Sequence, residues 1–259
     1  MADIRLGSMV MEDTGAGPPV VLIHGLGGSS NSFHTLMAAL QGYRALRPDL
    51  PGAGRSALRP GLAGIRGLAG AVRDLMRAAG VSRAHFVGHS MGTLICQYLA
   101  AERPEAVGSL TLFGPILEPP PAARQGLKER GAAARAQGMA GIADAVATGS
   151  VAPDSAAANP VTAAFVRESV MRQDPMGYAA HCDALSVAEA ADHASIHCPT
   201  LLIAGGVDPV APVEMARRLS ERIAGARLEI VPGVAHWMMI EAPKRSAELL
   251  RAQIEATAL

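Results

Sequence analysis

Short apolar runs bounded by turn residues alternate along this chain with longer stretches in which apolar residues recur every three or four positions. Runs at 20–23, 43–48, 84–87, 107–113, 200–204 and 227–231 have strand length and stop respectively at His24-Gly25, Asp49, Gly88, Gly114, Gly205-Gly206 and Pro232-Gly233. Between them, residues 65–79 place Ile65, Leu68, Ala69, Val72, Leu75 and Met76 on one helical face, and Gly80 ends the pattern. Residues 91–101 are apolar nearly all round, which predicts a buried helix. Further helices are expected at 213–223 and 243–254, the second with Pro243 in its first turn. The alternation predicts an α/β fold: a mostly parallel central sheet with helices on both faces.

Residues 115–192 break the pattern. They open with Pro115, Pro119, Pro120 and Pro121 and contain no strand-like run. Helices are expected at 122–137, 142–147, 161–172 and 175–185, and the stripe Phe165, Val166, Val170, Met171 calls for burial rather than a loose alanine-rich linker. The division expected is a core of residues 1–114 and 193–259 with a helical insertion at 115–192.

Composition narrows the partners. Lys plus Arg and Asp plus Glu are balanced at 23 each, and aromatic content is 3%. No net field draws the chain to nucleic acid or an anionic membrane, and few rings are available to stack on bases. A small-molecule partner is expected. Cys96, Cys182 and Cys198 lack the spacing of a disulfide framework or zinc site. No run reaches the ~20 apolar residues of a membrane span, and residues 1–12 have no signal-peptide pattern, so a cytoplasmic location is expected. A homo-oligomer stays open.

The chemistry is concentrated in a few motifs. Gly88-His89-Ser90-Met91-Gly92 is a G-x-S-x-G sequence between a predicted strand and a predicted helix, a context that presents the serine on a sharp turn. A serine hydroxyl is weakly nucleophilic until a base removes its proton, so a histidine held by a carboxylate is required. Asp208 follows one buried strand and His236 the next, and loops after parallel strands share one edge of the sheet. Ser90 is therefore the candidate nucleophile, His236 the base and Asp208 its orienting partner. Two N–H donors for a developing oxyanion are expected from Met91 and from Leu26, in the loop His24-Gly25-Leu26-Gly27-Gly28. His24, Asp49 and Arg55 are assigned structural roles, and His85 and His89 are expected to be packed or hydrogen-bonded. His193 and His197 have the spacing of two metal ligands on a helix turn, but with Pro199 next and no third ligand nearby they read as exposed or capping residues. No metal or cofactor is called for.

These motifs, with Asp49-Leu50-Pro51-Gly52-Ala53-Gly54-Arg55-Ser56, resemble the α/β-hydrolase superfamily over essentially the whole chain. The resemblance implies that the insertion is the helical cap of such enzymes. Carboxylate-nucleophile relatives are set aside because position 90 is Ser. Asp174-Pro175-Met176-Gly177-Tyr178-Ala179-Ala180 and the region from 199 to 212 look like 3-oxoadipate enol-lactonases and related carboxylesterases, which implies ester or lactone hydrolysis. His236-Trp237 is similar to the base loop of hydrolases that cleave carbon–carbon bonds in ring-fission products, making Trp237 a candidate substrate contact. If the enol-lactonase likeness holds, a cap arginine turned inward would pair with a substrate carboxylate. Arg167 and Arg172 are the first candidates because they flank the apolar stripe, while Arg124, Arg130 and Arg135 are the other cap arginines. A non-catalytic ligand-binding protein on the same fold remains a reading of another class.

Overall fold

The computed structural model describes residues 2–59, 61 and 64–259. Among them, strands β1 (Ala2–Leu6), β2 (Met9–Thr14), β3 (Pro19–Ile23), β4 (Arg44–Asp49), β5 (Ala84–His89), β6 (Val107–Phe113), β7 (Thr200–Gly205) and β8 (Arg227–Val231) form one sheet. Its order is β1-β2-β4-β3-β5-β6-β7-β8. The pairs from β4 through β8 are parallel, and β1 and β2 add an antiparallel edge.

The predicted strands and covering helices are present: α1 (Gly64–Ala78), α2 (Met91–Glu102), α8 (Val213–Arg222) and α10 (Pro243–Glu255), with a short α9 (Met238–Glu241) before the last. Successive strand residues point to opposite faces, and both faces are buried. Val21 and Ile23 pack with Leu68, Leu75, Leu94 and Ile95 of α1 and α2. Val20 and Leu22 pack with Phe33, Leu36, Leu249 and Leu250 on the other side. That is why these strands read as continuous apolar runs instead of alternating ones.

The β1-β2 hairpin and the 3-10 segment Ser30–Leu40 were not expected from the sequence. The hairpin turns at Gly7-Ser8, with Gly7 at φ 57°, and its apolar alternation (Ile4, Leu6) is only two residues deep, too short to stand out. Among the hairpin's described residues only β2 has buried positions, with Met9 and Met11 joining the core on the face covered by α1 and α2 while its backbone pairs with β4, where Val10 is registered on Asp49.

Between β6 and β7 lie α3 (Pro121–Gln137), α4 (Ala140–Ser150), α5 (Pro153–Ala158), α6 (Pro160–Met171) and α7 (Pro175–Ser186). The α5 turn is additional to the expected helices. These helices are bonded to the carboxyl-edge loops. Ser169 Oγ donates to the Gly27 carbonyl at 2.9 Å, Gln173 Nε2 donates to Gly27 at 3.2 Å, and His181 Nε2 donates to the Pro51 carbonyl at 2.8 Å. At Gly177, α7 lies so close to Gly52 that a Cβ would fall 2.0 Å from the Gly52 carbonyl oxygen. Val166 and Val170 of the predicted stripe are fully buried. Among the described residues, no helix is long and apolar enough to cross a membrane.

Candidate active site

Ser90 stands between β5 and α2 with φ 52° and ψ −119°, and it is the only non-glycine residue with positive φ among those described. Its neighbours make that turn sterically feasible. A Cβ at Gly92 would fall 2.1 Å from the Ile23 carbonyl oxygen, and one at Gly88 would fall 2.7 Å from the Gly92 carbonyl oxygen. Strand β3, the turn and α2 therefore meet at backbone distance, and the G-x-S-x-G glycines are required by contact as well as by conformation. A Cβ at Gly25 would fall 2.8 Å from Ser90 Cβ, so the loop after β3 presses on the serine. Among the described residues, neither the Leu26 nor the Met91 backbone N–H donates to a protein acceptor. Both belong to backbone touching the elbow.

Asp208 and His236 arrive on the loops after β7 and β8. His236 Nδ1 lies 2.8 Å from Asp208 Oδ2, while Asp208 Oδ1 accepts from the Val210 and Ala211 amides at 2.8 and 2.9 Å. Burial alone would raise the Asp208 carboxyl, but His236 and these two amides hold it below the usual carboxylate range. An ionised Asp208 fixes His236 as the Nδ1–H donor and leaves Nε2 toward the cavity. No hydrogen bond joins Ser90 Oγ to His236 among the described residues, a contact that such sites commonly tighten only around substrate.

The His236 loop is clasped from several sides. His236 N donates to the Ser150 carbonyl at 3.1 Å, and Trp237 Nε1 donates to Ser150 Oγ at 3.0 Å. Glu241 accepts three backbone N–H bonds, from Ala235 at 3.1 Å, Trp237 at 3.0 Å and Ala152 at 3.0 Å. One carboxylate thus joins the residues flanking His236 to the junction of α4 and α5. Sequence reasoning missed Glu241 and Ser150, because these contacts span up to 89 positions and carry no motif.

His89 is fully buried, with its Nε2–H donated to the His236 carbonyl at 2.9 Å and its ring about 5 Å from those of His236 and Trp237. Burial lowers it to about 3, so it is neutral, and its Nδ1 has no partner among the described residues. His24 donates from Nδ1 to the Gly25 carbonyl and accepts the Leu50 N–H on Nε2 at 3.0 Å, bracing the two loops. Asp49 accepts from Ser30 N, Arg55 N and Arg55 Nε, and His85 pairs with Ser109 Oγ at 2.8 Å. His193 is buried and bonded to Gln97 Oε1 at 2.9 Å, which corrects the exposed or capping role expected for it, whereas His197 is exposed.

Ser90, Leu26, His236 and Trp237 line one cavity of about 340 Å³ whose remaining walls are mainly apolar, among them Ile116, Leu127 and Val146. Arg167 and Arg172 are not brought to it. Arg167 Nε pairs with Asp144 at 2.6 Å, Arg172 Nε lies 3.9 Å from Glu168, and both side chains are exposed. Each follows a position that faces inward by one or two residues, and roughly 100° per residue turns it to solvent. The arginine that reaches the cavity wall is Arg130.

A family model described as the α/β hydrolase fold matches residues 18–243. The chain is 27% identical over 234 residues to 3-oxoadipate enol-lactonase 1 of Acinetobacter baylyi, covering 90% of this chain and 86% of that one. It is 37% identical over 117 residues to a 2-hydroxy-6-oxo-6-phenylhexa-2,4-dienoate hydrolase of Burkholderia cepacia, which covers 40% of this chain and 39% of that one. Among solved structures, the enol-lactonase of Burkholderia xenovorans LB400 superposes with a TM-score of 0.90 at 28% identity, over 98% of this chain and 100% of that one. With a family match across most of its length and the sheet, elbow and edge loops described above, the chain belongs to the α/β hydrolase family.

Proposed function

We propose that this protein is a serine hydrolase that cleaves a carboxylic ester or lactone of a small molecule. The observation that carries the reading is the 2.8 Å His236–Asp208 pair opening on the same cavity as the strained Ser90. His236 Nε2 takes the Ser90 hydroxyl proton as Oγ attacks the substrate carbonyl, while its Nδ1–H stays bonded to Asp208. The oxyanion receives the Leu26 and Met91 amides. Collapse breaks the carbonyl–oxygen bond of the leaving group, which takes the proton from His236. In a lactone that leaving oxygen remains tethered to the acyl chain. Water, activated by the same imidazole, then attacks the acyl-Ser90 carbonyl and frees serine and acid. The helices from α3 to α7 serve as a cap that excludes bulk water and shapes the substrate pocket.

A second reading, hydrolysis of a carbon–carbon bond in a ring-fission product, is favoured by Trp237 beside His236 on the cavity wall and by the likeness to the dienoate hydrolase. Turnover of short p-nitrophenyl esters, an enol-lactone and a ring-fission dienoate, normalised to serine reactive with a fluorophosphonate, separates the two. Absence of any adduct on Ser90 would defeat both and leave a ligand-binding protein.

A further inference from the structure

We infer that Arg130, on the same cavity lining as Tyr178, forms an anion subsite, so that the preferred substrates are esters or lactones with a carboxylate at the end remote from the scissile bond; the ester or lactone part of this rests on the hydrolase reading of the cavity. The face of α3 that lines the cavity is Ala123, Gly126, Leu127 and Arg130, an i, i+3, i+4, i+7 series. Along it three small or apolar side chains are followed by one cation, about 10 Å of helix rise from Ala123 to Arg130. Among the described residues, no Asp or Glu lines this cavity, and no other Lys or Arg does.

Pairing separates Arg130 from its neighbours. Arg124, Arg135, Arg167 and Arg172 face Glu118, Asp183, Asp144 and Glu168 respectively. Arg130 makes no ion pair among the described residues, and the nearby Asp183 is taken by Arg135. Tyr178, buried on α7 and part of the same cavity lining, has its hydroxyl pushed by burial up to about 12, so it stays a neutral O–H donor. A guanidinium and a phenol hydroxyl offer the donors that a carboxylate accepts. Arg130 is itself an exposed residue on the cavity wall, so the lower end of the range for charged hydrogen bonds applies, about a tenfold gain in affinity.

The test uses full-length Ser90→Ala protein, which binds without turnover. Affinities for monomethyl esters of straight-chain dicarboxylic acids, from succinate to suberate, are compared by calorimetry with those of the matching dimethyl esters. The monoester of best length is expected to bind at least about tenfold more tightly than its diester. Adding Arg130→Gln should bring that ratio to about one, whereas Arg135→Gln, which removes a charge from the same helix outside the cavity, should keep it. A ratio near one in the Ser90→Ala parent, or a ratio unchanged by Arg130→Gln, overturns the subsite. Hydrolysis of the same esters by the wild-type chain reports separately on the serine-hydrolase reading: Arg130-dependent binding without hydrolysis would retain the anion subsite and refute the esterase.

Discussion

The two walls of the cavity are held by different physics. On the sheet side, positions are set by backbone against backbone: Gly92 has the Ile23 carbonyl oxygen 2.1 Å from where a Cβ would stand, and Ser90 is locked at φ 52°. On the helix side α7 is anchored at Gly177 against Gly52, but along the cavity face of α3 there is open space, and Gly126 has no neighbour within 4 Å of an added Cβ. The groups proposed for chemistry are therefore over-determined, while the wall proposed for specificity has room to vary. This difference is a physical reason why chains similar in sequence to this one are named for different substrates.

The largest expected effect tests the sheet side. Ser90→Ala should retain its fold and lose roughly four decades of turnover, since only binding and oxyanion stabilisation would remain; near-normal turnover per mole of folded protein would remove Ser90 from the mechanism. Gly92→Ala should destabilise by about 3 kcal/mol or more, because the methyl meets rigid backbone. A urea midpoint equal to that of the parent would mean the elbow is softer than described.

Glu241 joins the two walls and sharpens the comparison. In Glu241→Gln an amide N–H₂ must face a backbone N–H, so kcat should fall about tenfold, with circular dichroism unchanged. Because the change acts through the His236 loop, kcat should suffer more than KM; an effect confined to KM would instead place Glu241 in support of the helices.

Acid should loosen the same junctions. Burial lowers His181, which anchors α7 to Pro51, to about 4 and His89 to about 3, against 6.5 in an unfolded chain. Between pH 6.5 and about 4 the unfolded state holds more protons, so stability present above 6.5 is lost as pH falls, by up to about 1.4 kcal/mol per pH unit for each group. Urea midpoints across that window should decline, and less steeply in His181→Gln; an unchanged slope would exclude His181 from the effect.

The smallest effect tests the helix side. Gly126→Ala fits open space in the middle of α3 and should stabilise by about 0.5–1 kcal/mol while altering the ranking of acyl chain lengths. Destabilisation would show that this wall is tighter than its geometry.

Much of the fold was legible because it rests on local signals. Fully buried parallel strands are apolar throughout and end at turn residues, and α1 carries its buried face in the spacing of Ile65, Leu68, Val72 and Leu75. The order Ser90, Asp208, His236 was likewise readable, since each follows a strand that must deliver it to the same edge. The β1-β2 hairpin was not, because its short amphipathic pattern gains a core only where β2, paired with β4, brings Met9 and Met11 to the face covered by α1 and α2. Nor was the arginine at the cavity. Arg130, Arg167 and Arg172 are alike in the sequence, and what separates them is the phase of each helix against its neighbours.

The sequence by itself determined the succession of elements, the α/β class and the residue types offered for chemistry, since periodicity, turn residues and G-x-S-x-G act within a few positions of one another. Only the tertiary structure decided that the loop after β3 presses against Ser90, that Glu241 joins Ala152 to Ala235 and Trp237, and that Arg130 rather than Arg167 or Arg172 faces the cavity. Those outcomes depend on contacts between segments far apart in the chain, where steric fit and the satisfaction of buried polar groups select the partner and no local pattern records the choice.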